Sequence, residues 1–196
     1  QIFAVASGHL FHDLYTSFLA PLLPSLISYL SLTLTSAGLL TTISRIPSIF
    51  HPLVGYLADK KGARYFVIFT PAITATLMSL LGRADSYSNL AILLFLSGLS
   101  STIFHAASPG LVASASIKRK GYGLSLFMAG GGLGRSLGPL LVVWVISLWG
   151  LEGLVRLMFL GWAASFVLLL QFREVKTTSD IKPSLRAALP GFKRFF

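Results

Sequence analysis

The chain has 196 residues, 54% of them hydrophobic and only 11% charged, with a mean hydropathy of +0.78 and a net charge of +10. A soluble domain of this length carries about a quarter charged residues, so the composition excludes one and specifies an integral membrane protein. There is no cysteine, which excludes a disulfide framework and a thiolate metal site.

Six apolar stretches follow one another, near 2–30, 34–58, 65–82, 89–116, 121–148 and 153–172. Each is long enough to cross a hydrocarbon core of about 30 Å at ~1.5 Å per residue. The breaks between them are short and polar, and none holds room for a soluble domain. The first stretch is too long for a signal peptide, and no small-residue cleavage site follows it. Twelve of the sixteen basic residues fall in the 59–64 break, the 118–120 break and the segment after 172, while Arg83 alone lies in the opposite loops. That asymmetry predicts cytoplasmic termini. Topology and anionic lipid account for the net charge, so a nucleic-acid partner is not expected.

The first stretch carries "GHLFHDLYTSFLAPLLP", residues 8–24. His9, His12, Asp13, Thr16 and Ala20 share one helix face, with Leu10, Phe11, Leu14 and Phe18 on the other side. Asp13 sits roughly 15 Å along the span, close to the midplane. Ionisable groups at that depth are costly, and each is by default a functional candidate. In the second stretch Arg45 shares a face with Thr41, Ser48 and Pro52, and His51 is turned away from it. The third stretch has no ionisable group. On the fourth, Ser97, Ser101, His105 and Ser108 form a stripe at mid-depth. Arg135 stands in the fifth, and the sixth has only Arg156 near its outer end. Spans one, two, four and five thus hold the buried polar groups, while three and six read as packing or lipid-facing elements. This division suggests two units of three helices, the inverted repeat that surrounds a midplane site in secondary transporters.

Two local motifs sharpen the reading. In "GYLADKKGARYFV", residues 55–67, Gly55 permits close backbone approach, Asp59 can cap or bridge the helix end, and Gly62 permits a tight turn. The pattern resembles the loop signature of the major facilitator superfamily, with Gly55, Leu57, Ala58, Asp59, Lys60, Gly62 and Arg64 in register and Ala63 where a basic residue is usual. In "GGGLGRSLGP", residues 130–139, Gly131, Gly134 and Gly138 lie on one face and allow close helix contact. Gly134, Gly138 and Pro139 resemble that superfamily's fifth-helix antiporter motif without its trailing glycines. The fourth-helix arginine of many proton-coupled members is also missing, and His105 is the ionisable group there.

Together with "TIFHAASPGLVASA" these stretches resemble the fosmidomycin-resistance branch of the superfamily over nearly all of residues 8–172. The resemblance implies an all-α half of a twelve-helix fold and proton-driven export of a drug or small metabolite, with no cofactor. The resemblance rests on His9, Asp13 and His105; with His12, Arg45 and Arg135, chosen for their place within the spans, these are the candidates for the proton site and substrate cavity, and residues 55–64 for the cytoplasmic gate. The tail "SDIKPSLRAALPGFKRFF" looks like the basic cytoplasmic linker between halves. The expected division is therefore a six-helix bundle over 1–172 and a linker segment over 173–196. The partner is a second six-helix half, from the same polypeptide or another copy.

Blander readings stand beside these. His9 and Asp13 can satisfy each other as a packing pair, and Arg45 and Arg135 can be counter-ions to Asp13, substrate ligands, or both. A metal site requires His9, His12, Asp13 and His105 to converge, and none is expected. A membrane assembly protein or an intramembrane metal-binding protein are the rival classes.

Overall fold

The structure, a computed structural model, describes residues 2–61, 63–116 and 119–172. These form eight α-helices: α1 (Ile2–Thr16), α2 (Leu19–Leu30), α3 (Leu34–Arg45), α4 (His51–Lys61), α5 (Arg64–Ser79), α6 (Tyr87–Ala115), α7 (Lys120–Trp149) and α8 (Met158–Phe172). Short 3₁₀ stretches at Ile46–Phe50, Leu80–Arg83 and Leu151–Leu157 join or extend them. No strand occurs among the described residues. The expected linker, 173–196, lies outside them.

Four helical runs are long and apolar enough to cross a membrane: Arg64–Arg83, Tyr87–Ala113, Gly121–Trp149 and Leu151–Phe172. The first two apolar stretches are each broken, and proline explains where. Pro21 cannot donate to the carbonyl of Ser17 and its ring collides with it, so the chain loosens at 17–18 between α1 and α2. Continuity survives through Ser17 N–H to Asp13 O at 3.2 Å, Phe18 N–H to Tyr15 O at 3.0 Å and Leu22 N–H to Phe18 O at 3.1 Å. Pro47, near the start of the 3₁₀ stretch between α3 and α4, and Pro52, just beyond its end, act likewise. That stretch turns about 120° per residue instead of ~100°. The extra winding carries His51 round to the side of Arg45, where helical spacing alone had turned it away.

Helix α1 runs along α7; α5 packs between α6 and α8; α3 and α4 lie against α6. Glycine makes the α1–α7 contact possible. A Cβ at Gly130, Gly134 or Gly138 would strike the carbonyl oxygens of Ala6, Leu10 and Leu14 respectively. Gly55, by contrast, has open space around it and brings no backbone close among the described residues.

Two apolar clusters fill the bundle. One gathers Leu14, Tyr15, Phe18, Leu22, Met78 and Leu154, the other Val5, Ile68, Phe104, Phe127, Leu168 and Phe172. Tyr15 knits the first together by donating to Leu157 O at 2.5 Å and accepting from Gly161 N–H at 3.1 Å. A buried polar layer at His9, His12, Asp13, Thr74 and Ser100 accompanies the two clusters.

Candidate functional site

Asp13 is the hub of that layer. Its side chain is 1% exposed, yet it meets three basic side chains from three helices. Oδ2 lies 3.1 Å from His9 Nε2 and accepts from the Arg135 guanidinium of α7. Oδ1 lies 3.2 Å from His105 Nε2 on α6. A buried carboxylate without such partners would cost several kcal/mol, so Arg135 supplies the counter-charge that lets Asp13 remain inside.

The environment of His9 fixes its chemistry. Nδ1 lies 2.8 Å from the carbonyl oxygen of Phe127. A carbonyl only accepts, so Nδ1 carries the hydrogen. Nε2 then faces Asp13 Oδ2 at 3.1 Å, within ion-pair reach of the carboxylate but without a hydrogen bond among the described residues. The Phe127 ring stacks on His9 at 3.9 Å between centroids. Gly131 completes the seat, because a Cβ there would strike the imidazole.

His12 is also fully buried, stacked on Phe104 at 4.1 Å and edge-on to His105 at 5.4 Å. Its Nδ1 lies 3.4 Å from Thr74 Oγ1, which lies 2.8 Å from Ser100 Oγ. Thr74 belongs to α5, the stretch that reads as mere packing for want of an ionisable group. The sequence signal was the pair Thr70 and Thr74, hydroxyls one turn apart in an otherwise apolar run.

Beside the cluster opens a cavity of about 690 Å³. Asp13, His105 and Arg135 line it, and so do Arg45 and His51. His9 and His12 are not part of its wall and sit behind it. His105, with a side chain 33% exposed, is thus the histidine that joins the cavity to the buried carboxylate. Hydroxyls from four helical segments, among them Thr16, Thr41, Ser48, Ser97 and Ser101, make the rest of the wall polar. The fourth-helix stripe divides: Ser97, Ser101 and His105 face the cavity, whereas Ser108 is buried and donates to Phe104 O at 2.6 Å. Pro139 also reaches the wall.

The two arginines part company here. Arg135 is the counter-ion of Asp13. Among the described residues no carboxylate lies within ion-pair reach of Arg45, which leaves its guanidinium available to whatever fills the cavity.

One ligand atom each from His9, Asp13 and His105 falls within 4.8 Å of the others, a spacing compatible with a metal ion. Arg135 already occupies Oδ2, so a cation would have to compete with a guanidinium for the same oxygen.

In the 55–64 motif, Arg64 donates to Phe172 O at 3.1 Å and stacks over Tyr65 at 4.5 Å, tying α5 to the end of α8. Lys60 is exposed. The Asp59 side chain and Gly62 lie outside the described residues.

Apolar helices that bury an ionisable cluster beside a polar cavity are an architecture suited to a membrane transporter. The chain belongs to the Major Facilitator Superfamily, whose family model matches residues 5–195. It is 33% identical over 148 residues to the fosmidomycin resistance protein of Escherichia coli (strain K12), a match covering 75% of this chain and 36% of that protein. It is 29% identical over 150 residues to the uncharacterized MFS-type transporter YfnC of Bacillus subtilis (strain 168), again 75% of this chain and 36% of the relative. The match thus spans little more than a third of the length of the curated relatives.

Proposed function

We propose that this chain forms one wall of a proton-coupled secondary transporter that exports a drug or other small metabolite by alternating access. The observation that carries the reading is the buried Asp13 carboxyl, ringed by His9, His105 and Arg135 beside a cavity large enough for a small molecule. Proton and substrate need only favour different conformations for one gradient to drive the other. His105 admits the proton from the cavity, Asp13 and His9 hold it, and Arg45 with the wall hydroxyls binds polar oxygen atoms of the cargo. Export rather than uptake is supported by similarity to a protein named for fosmidomycin resistance.

In this reading α1 with α2, and α3 with α4, each make one proline-broken span, for six in all, arranged as a 3+3 inverted repeat. The termini are cytoplasmic and the protein sits in the cell membrane. The opposite wall of the cavity comes from a second six-helix half, on the same polypeptide or, in the alternative, on another copy of this chain. The test uses the full-length protein in everted vesicles, with fosmidomycin as first probe within a panel of antibiotics. Accumulation driven by an imposed pH gradient and lost with a protonophore is the expected result; uptake indifferent to the protonophore would sink the reading.

The 55–64 motif closes the cytoplasmic side in this scheme. Asp59→Ala in the full-length protein removes a carboxylate from that closure and is expected to favour the inward-open state. Labelling of cytoplasmic cysteine probes should rise several-fold, and unchanged labelling would count against the gate. The convergence of His9, Asp13 and His105 favours one rival, a bound metal ion. It requires stoichiometric Zn²⁺ after equilibrium dialysis, lost in His105→Ala.

A further inference from the structure

The proton site above does not use His12, although it is the most deeply buried of the cluster's imidazoles. Its Nδ1 begins a chain of contacts: Thr74 Oγ1 at 3.4 Å, then Ser100 Oγ at 2.8 Å, then the carbonyl oxygen of Thr70 at 3.4 Å from Ser100. The last member can only accept. Each hydroxyl has one hydrogen, so a single polarity satisfies all three contacts. Ser100 donates to Thr70 O, Thr74 donates to Ser100, and Thr74 accepts from His12 Nδ1–H. The reverse polarity would set Ser100 Oγ against a carbonyl oxygen and leave a buried N–H at Nε2 with no partner, which is rare in folded proteins. With the forward polarity Nε2 is a bare lone pair, and it makes no hydrogen bond among the described residues.

We infer that Thr74 and Ser100 are positioning residues that hold His12 as its Nδ1–H tautomer, so that Nε2 presents a lone pair, not an N–H, beside the Asp13 cluster. The inference rests on the proton-coupled reading for its purpose, though not for its geometry. The hydrogen bond made by one ring nitrogen decides the state of the other, and here α5 and α6 supply that bond. The titratable neighbours are His9 and Asp13 on α1 and His105 on α6, with Arg135 of α7 acting through Asp13; α5 contributes hydroxyls alone. His105 is the part-exposed member, and its ring meets His12 edge-on.

The experiment is ¹⁵N-histidine NMR of the full-length protein in wild type, Thr74→Val, Thr74→Ser and Ser100→Ala. Wild-type His12 should show a protonated Nδ1 and a bare Nε2, the opposite of the tautomer favoured in water. Thr74→Val should lose that preference. Thr74→Ser keeps the hydroxyl and should restore it. Ser100→Ala, a smaller change, should weaken the preference if Thr74→Val fails to fold. A wild-type His12 protonated at Nε2, or a tautomer unmoved by loss of either hydroxyl, would overturn the inference. Should Asp13→Asn transport normally while His12 remains Nδ1–H, the transport reading fails and the tautomer assignment stands.

Discussion

Asp13→Asn is expected to abolish proton-driven transport by the full-length protein, lowering the rate on the order of 100-fold or more, while insertion and abundance stay normal. Asparagine keeps the shape of the carboxylate but cannot take up or release a proton. His9 Nδ1 is committed to Phe127 O, so the neutral ring would offer Nε2 to an amide that never changes charge. The coupled unit then has one state instead of two. Folding should survive because the group left unpaired is Arg135, whose side chain is 54% exposed at the cavity and can be hydrated there. Wild-type rates in vesicles with an imposed pH gradient would remove Asp13 from the coupling step.

The second large effect is structural. Gly134→Val places a branched side chain where even a Cβ meets the carbonyl oxygen of Leu10 and lies 2.9 Å from the Leu14 nitrogen. Backbone cannot step aside as a flexible side chain can, so α1 and α7 must separate along their whole contact. Overpacking of this kind costs about 2–3 kcal/mol, which corresponds to a fall in Tm of roughly 5–10 °C for a chain of this size. The same separation draws His9 away from Phe127 and Asp13 from Arg135. Gly132→Val is the control, since a Cβ there meets nothing within 4 Å. It should change stability by less than ~0.5 kcal/mol. Thermal melts of the 196-residue chain in detergent would decide the matter, and equal melting points for the two variants would refute the packing account.

These expectations draw unequally on sequence and structure. Hydropathy is a sum over neighbouring residues, and the cost of a charge in lipid belongs to each residue separately. The membrane class, the positions of the apolar stretches and the choice of Asp13, His9, His105 and Arg135 as candidates were therefore legible in the chain alone. So were the family motifs, which are local patterns. The glycines of α7 could be seen to permit close contact, but not that Gly131 would seat an imidazole while its neighbours admit the α1 backbone.

What the tertiary structure decided is how the helices turn about their own axes. Three 3₁₀ stretches and several prolines alter that rotation by amounts no fixed period anticipates. The winding at Ile46–Phe50 brought His51 to the cavity beside Arg45. Packing of α5 against α1 and α6 gave Thr74 and Ser100 to His12, although α5 lacks any ionisable residue. Of two arginines equal in sequence, one was paired with Asp13 and the other left to the cavity. Sequence by itself determined which polar groups must be sheltered, because burial costs are paid residue by residue. Only the tertiary structure decided which group shelters which, because a hydrogen bond between helices depends on ångström distances set by every kink and close approach before it.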